Sequence, residues 1–176
     1  MSDLNETIDL LVRPIEDWPQ PGVTFRDITP LLADPVALAA VIDGMVELAE
    51  QTGPIDAVLG IEARGFLFGP SIALRLGAGF VPVRKAGKLP STSLSTSYEL
   101  EYGSAVLEMH VDALQAGARV LVVDDVLATG GTMLAAADLV RQAGGTVAGN
   151  LVLIELLALG GQERLAPAGC ASLRTY

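Results

Sequence analysis

The chain has 176 residues, 51% of them apolar and 18% charged, with a net charge of −10 and a single cysteine, Cys170. That length fits one domain with its own core, and the apolar fraction excludes disorder. The acidic balance disfavours nucleic acid and anionic membranes as partners, and the lone cysteine excludes a disulfide framework or a thiolate zinc site and suits a reducing, cytoplasmic compartment.

The N-terminus carries acids where a signal peptide needs bases, and no apolar run approaches the roughly 18 residues of a membrane span. Ser2 is placed to cap a short helix with Leu4, Ile8 and Leu11 on one face. Trp18 is expected to anchor this segment, and Pro19 to Gly22 reads as a turn. Asp34 followed by Pro35 is a helix start; Leu38, Val41, Ile42, Met45, Leu48 and Ala49 then recur at helical spacing until Gly53-Pro54. Ile55 to Ile61 predicts a buried strand, Gly65 to Leu76 a helix, and Phe80 to Arg84 a second strand. Lys85 to Ser97 is rich in Pro, Ser and Thr and predicts a mobile loop, and Tyr98 to Val111 alternates as an extended ribbon. Arg119 to Asp124 predicts a third strand, Thr132 to Ala143 a helix, and Thr146 to Glu155 a fourth strand. Alternating strands and helices imply an α/β fold with a mostly parallel sheet, whose ligands bind at the carboxyl ends of the strands. That rule directs attention to Glu62–Gly65, Arg84–Lys88 and Asp124–Thr132.

The strongest signal is the thirteen-residue segment from Val120 to Thr132. A hydrophobic strand delivers Asp124 and Asp125 at its end; Thr129, Gly130, Gly131 and Thr132 follow, and then a helix begins. The glycines let backbone N–H groups approach an anion, the helix start adds a positive dipole, and the threonines add hydroxyl donors. Together these suit a phosphate monoester. The acids repel phosphate; they suit ribose hydroxyls or a nearby magnesium ion. No Gly-Lys-Ser/Thr follows, so this is not a Walker loop, and no GxGxxG occurs. Arg84, Lys85 and Lys88 read either as a solvated charge run or as bases that attract a polyanion to an acidic chain. Arg64 reads either as a surface partner of Glu62 or as an anion ligand, and Phe25 as core or as a stacking ring. His110, the only histidine, and Cys170 read as structural.

The segment Val120 to Thr132 resembles the phosphoribosyl diphosphate (PRPP) signature of the type I phosphoribosyltransferase family. Four further segments, Pro21–Ile28, Glu62–Gly69, Val81–Pro90 and Tyr98–Gly103, are similar to the adenine-specific branch of that family and stand in its order. The departures are small: Ser91 to Ser97 is unusually rich in Ser and Thr, and Val126 stands where Leu is common.

The resemblance implies a single domain over 1–176 with the type I phosphoribosyltransferase fold: a mostly parallel central sheet flanked by helices, a small N-terminal hood within 1–34, and a mobile loop plus β-ribbon over 84–111. It implies transfer of the 5-phosphoribosyl group from PRPP to adenine, giving AMP and pyrophosphate, by a cytoplasmic homodimer with no nucleic-acid or membrane partner. Mg2+ is expected to enter mainly through PRPP and pyrophosphate, with no residue assigned as a metal ligand. By resemblance, Asp124, Asp125, Ala128, Thr129, Gly130, Gly131 and Thr132 hold the ribose phosphate. Ala63, Arg64, Lys88, Tyr102 and Arg84 hold pyrophosphate, Lys88 that of its own subunit and Arg84 that of its own or of the neighbouring one; Val23, Phe25 and Arg26 hold adenine, and Glu101 faces the reacting base. The alternatives are a phosphoribosyltransferase for another base, or a PRPP-sensing regulator without turnover, which ordinarily needs an added DNA-binding module.

Overall fold

The computed structural model describes residues 2–99 and 104–176, which divide into two units, one ending at Gly44 and one beginning at Met45. In the first unit, α1 (Ser2–Leu11) buries Ile8 fully and leaves Leu4 and Leu11 half-buried, the face expected from their spacing. Two short strands, β1 (Arg13–Ile15) and β2 (Phe25–Asp27), pair antiparallel, a hairpin that the sequence does not announce because each strand has only three residues. The Arg13 guanidinium donates to Asp27 across this pair and, with the Thr29 amide, holds the Asp27 carboxyl down to about 2. The short helix α2 (Thr29–Ala33) follows. Asp34 then caps α3 (Pro35–Glu50): its Oδ1 accepts the amides of Val36 and Ala37, both at 2.9 Å.

The second unit is a seven-stranded sheet. Its elements are β3 (Ala57–Ile61), α4 (Gly65–Leu76), β4 (Gly79–Lys85), β5 (Ser93–Glu99), β6 (Ser104–His110), β7 (Arg119–Leu127), α5 (Gly131–Gln142), β8 (Thr146–Glu155), α6 (Gly161–Arg164) and β9 (Ala171–Thr175). The order across the sheet is β5-β6-β4-β3-β7-β8-β9. The five strands β4, β3, β7, β8 and β9 run parallel, and the β5–β6 ribbon adds antiparallel to β4. The edge strand β9 was not foreseen; its residues Ala171 to Arg174 are only half-buried, so they lack the apolar run that marks the inner strands.

One face of the sheet carries Leu59, Ile61, Val81, Val83, Val120 and Val122 against Met133, Ala136, Leu139 and Val140 of α5. Helix α4 packs on β3, β4 and β7. The ribbon is longer than expected. Its first strand begins at Ser93 rather than Tyr98, so the loop is confined to 86–92. The reason is a weak period-two pattern: Leu94 and Tyr98 pack toward the core, and the Thr96 hydroxyl donates to Asp138 of α5 at 2.8 Å, while Ser95 and Ser97 face out. The high serine content hides that alternation.

Candidate active site

The parallel strands end unevenly. Strand β3 accompanies β7 only as far as the pair Gly60 and Val123, whereas β8 continues to the pair Leu127 and Glu155. Asp124 and Asp125 therefore do not end β7, as the sequence suggests; they lie inside it, where its β3 side opens. A cavity of about 190 Å³ forms there, lined by Arg64 and the continuous stretch 124–133. All seven residues expected to hold a ribose phosphate thus share one concave site.

Gly130 takes a left-handed conformation with φ of 80° and serves as the N-cap of α5, with no side-chain cap hydrogen bond. The first amides of a helix lack intrahelical partners, so α5 opens with uncapped donors and the positive end of its dipole beside the cavity. Thr129 is exposed and Thr132 half-buried at the same place.

Successive strand residues leave the backbone on opposite sides, so the two acids approach the cavity from either side of β7. Both nevertheless line the one cavity, with their carboxyls close enough to interact with each other. There Asp125, 1% exposed, meets Arg64, with Nε 3.0 Å from Oδ2. The contact is Coulombic rather than directed: among the described residues, that oxygen accepts no hydrogen bond. Asp124 Oδ1 accepts the Asp125 amide at 2.9 Å. Burial pushes both carboxyls above their usual range; Asp125 adds repulsion to Asp124, while Arg64 partly offsets the rise in Asp125. The site holds two costly acceptors with few donors.

Arg64 reaches Asp125 because α4 starts against β7. A Cβ at Gly65 would lie 2.5 Å from the Val123 carbonyl oxygen, so only glycine permits that approach. The preceding Glu62–Ala63 peptide is cis, and Ala63 is exposed. The sequence left open a surface pair between Arg64 and Glu62; the structure instead pairs Arg64 with Asp125 and gives Glu62 to the second basic cluster. Glu62 Oε1 accepts from Lys88 Nζ at 2.7 Å and Arg84 Nη2 at 3.1 Å, and its Oε2 accepts the Lys85 amide at 3.0 Å. Glu62 thus anchors the Arg84 and Lys88 side chains, a role that sequence reasoning undervalued. Its spacing from Arg84 and Lys88 shows the pairing only once β3 and β4 are seen to be parallel neighbours.

Lys88, followed by Arg84, holds the Glu62 carboxyl down to about 2. The stability it contributes is fully present above its ordinary value of 4.5 and is lost as pH falls toward 2. Glu62→Gln is therefore expected to flatten the acid limb of the melting-temperature profile between pH 5 and pH 2, with the wild type falling more steeply. Parallel profiles in differential scanning calorimetry would contradict the ion cluster.

The adenine candidates Val23, Phe25 and Arg26 are half-buried in the first unit, the latter two on β2. The Phe25 ring stands edge-on to Trp18 with centroids 4.5 Å apart, and Trp18 itself is 52% exposed. Glu101 and Tyr102 lie outside the described residues. Cys170 is buried beside Met133, sulfur to sulfur 3.8 Å, and burial pushes its thiol up to about 12, which makes it inert filling. His110 ends β6, paired with Ser93.

Residues 28–170 match the model of the phosphoribosyl transferase domain. The adenine phosphoribosyltransferase of Thermobifida fusca is 57% identical over 99% of this chain and 98% of its own length. This chain belongs to the adenine phosphoribosyltransferase family. Solved structures agree with it closely in shape. That of the Thermoanaerobacter pseudethanolicus adenine phosphoribosyltransferase superposes with a TM-score of 0.92 at 48% identity, covering 97% of this chain and 99% of the other. The Saccharomyces cerevisiae adenine phosphoribosyltransferase, complexed with D-2,5-dideoxy-2,5-imino-altritol 1,6-bisphosphate and adenine, gives 0.93 at 39% identity, covering 98% and 99%. The family reaction joins PRPP and adenine into AMP and pyrophosphate, so the expected fold and activity class both hold.

Proposed function

We infer that this chain runs that reaction with the residues gathered at the carboxyl end of β7, and that its two units work as one phosphoribosyltransferase domain. The observation that carries the reading is the cavity itself: uncapped amides of α5 beside two donor-poor carboxylates and one arginine. The amides of 130–132 and the Thr129 and Thr132 hydroxyls hold the 5-phosphate of PRPP. The ribose hydroxyls donate to Asp124 and Asp125, satisfying acceptors whose burial is otherwise costly. Arg64 and the Ala63 turn take the pyrophosphate, which exchanges with Glu62 for the donors of Lys88 and Arg84, and Tyr102 adds a contact.

Reaction breaks the bond from the ribose anomeric carbon to pyrophosphate and forms one to adenine N9, whose proton passes to or is oriented by Glu101. The transition state is oxocarbenium-like, so fixed charge rather than a covalent nucleophile supplies the acceleration. Among the described residues no three acidic, His or Cys side chains converge. The two adjacent carboxylates fit Mg2+ only as an ion that arrives with substrate phosphates and keeps several waters. When bound there, magnesium offsets the charge of the departing pyrophosphate. The 86–92 loop and the ribbon close over the site and exclude water.

Val23, Phe25 and Arg26 select adenine: the ring stacks on the purine, and backbone groups pair with N1 and N6. Guanine and hypoxanthine place a carbonyl oxygen there and leave buried groups unpaired. The free Cys170 supports a cytoplasmic setting, and the family resemblance a homodimer. The test is pyrophosphate release from PRPP with each base. Adenine is expected to exceed guanine and hypoxanthine in kcat/KM by at least about a hundredfold; comparable values would refute the specificity, and no release with any base would favour a PRPP sensor.

A further inference from the structure

The inner side of the phosphate loop faces the cavity; its outer side rests on a segment that neither the motif nor the mechanism uses. The Leu156 amide donates to the Leu127 carbonyl at 2.9 Å, so this segment leaves the sheet beside the loop. Helix α6 then runs directly behind it. A Cβ on Gly161 would collide with the Ala128 carbonyl oxygen and lie 2.9 Å from Leu127 Cδ1. A Cβ on Gly130 would lie 3.1 Å from the Gly161 carbonyl oxygen and 3.7 Å from Arg164 Cβ. Among the described residues, one side-chain hydrogen bond ties this segment to the loop, and its donor is charged: Arg164 Nη1 donates to the Thr129 carbonyl at 3.2 Å.

That bond fixes more than a carbonyl. A trans peptide is planar, with its C=O and N–H pointing in opposite directions. With the Thr129 carbonyl turned outward to Arg164, the amide of Gly130 turns inward, toward the cavity that Gly130 lines. The opposite peptide orientation would aim a carbonyl at an incoming anion. Left-handed glycine makes both orientations accessible, so the backbone alone does not choose.

We propose that Arg164 is a positioning residue for the phosphate loop: by holding the Thr129 carbonyl from behind, it keeps the Gly130 amide aimed at the 5-phosphate. The proposal rests on the reading that this loop takes that phosphate. The role differs from electrostatic attraction, which an exposed cation behind the loop exerts on every anion alike.

Calorimetry on the full chain separates these roles, with ribose 5-phosphate and inorganic pyrophosphate as probes and Arg164→Ala, Arg164→Lys and Thr132→Ala as variants. Arg164→Ala is expected to raise the Kd of ribose 5-phosphate about tenfold and to leave that of pyrophosphate within about twofold. Arg164→Lys, which keeps a donor on a flexible stem without the planar fork, should recover part of the loss. Wild-type affinity of Arg164→Ala for ribose 5-phosphate, or equal weakening of both anions, would overturn the proposal. If Thr132→Ala also binds ribose 5-phosphate as the wild type does, the loop reading itself fails; a loss in Thr132→Ala alone removes only Arg164. Should the melting curve show that Arg164→Ala does not fold, Arg164→Lys decides. A shift of about threefold confined to ribose 5-phosphate supports the role, and no shift overturns it.

Discussion

Replacing Asp124 and Asp125 together by Asn is expected to weaken PRPP binding by at least about a hundredfold and, at neutral pH, to raise the melting temperature. The loss follows from two charge-assisted hydrogen bonds to the ribose hydroxyls, at about 1.5–3 kcal/mol each. The gain in stability follows from the electrostatics of the two carboxyls themselves. Both folded-state pKa values stand above the ordinary 3.8, through burial and, for Asp124, the charge of its neighbour. Ionisation therefore costs the folded chain more than the unfolded one, and stability declines as pH rises from about 4 through the raised values. Asn removes that decline, while Arg64, whose side chain is 46% exposed, returns to solvent at little cost. Isothermal calorimetry with PRPP and melting curves from pH 4 to pH 8 check both halves. Unchanged PRPP affinity would remove the two acids from the site, and a lower melting temperature would show them to be structural.

Glu101→Gln is expected to lower kcat by about 10²–10⁴-fold while changing substrate affinity little. The substitution keeps size and hydrogen-bonding capacity and removes only the negative charge. That charge matters most when adenine N9 turns nucleophilic and its proton must leave. Single-turnover kinetics separate the chemical step from product release, since slow release can mask a modest chemical defect. A single-turnover rate near that of the wild type would strip Glu101 of a catalytic role. The proposed ribose-phosphate site, which rests on other residues, would survive that result.

What the sequence made legible follows from how local each signal is. The loop from Asp124 to Thr132 places its polar groups in consecutive residues, so they could be read as one site before any fold was known, and they do line one cavity. The inner strands β3, β7 and β8 were legible because burial on both faces leaves unbroken apolar runs. The extension of β7 beyond Asp125 was not, because polar side chains interrupt the run while the backbone keeps pairing with β8. Strand β5 was hidden by serines at its solvent-facing positions. The pairing of Glu62 with Arg84 and Lys88, and the backing of the loop by Gly161 and Arg164, are long-range contacts, 22 to 35 residues apart in the chain. No local pattern encodes those; strand order and α6 create them.

The central claim is that one loop holds the 5-phosphate and the adjacent acids hold the sugar. A crystal structure of the chain with AMP tests it most directly. The account predicts the phosphate within hydrogen-bond distance of the amides of Gly130, Gly131 and Thr132, with ribose hydroxyls on Asp124 and Asp125. A phosphate seated elsewhere, with that cavity filled by water and the two carboxylates untouched by the sugar, would contradict it.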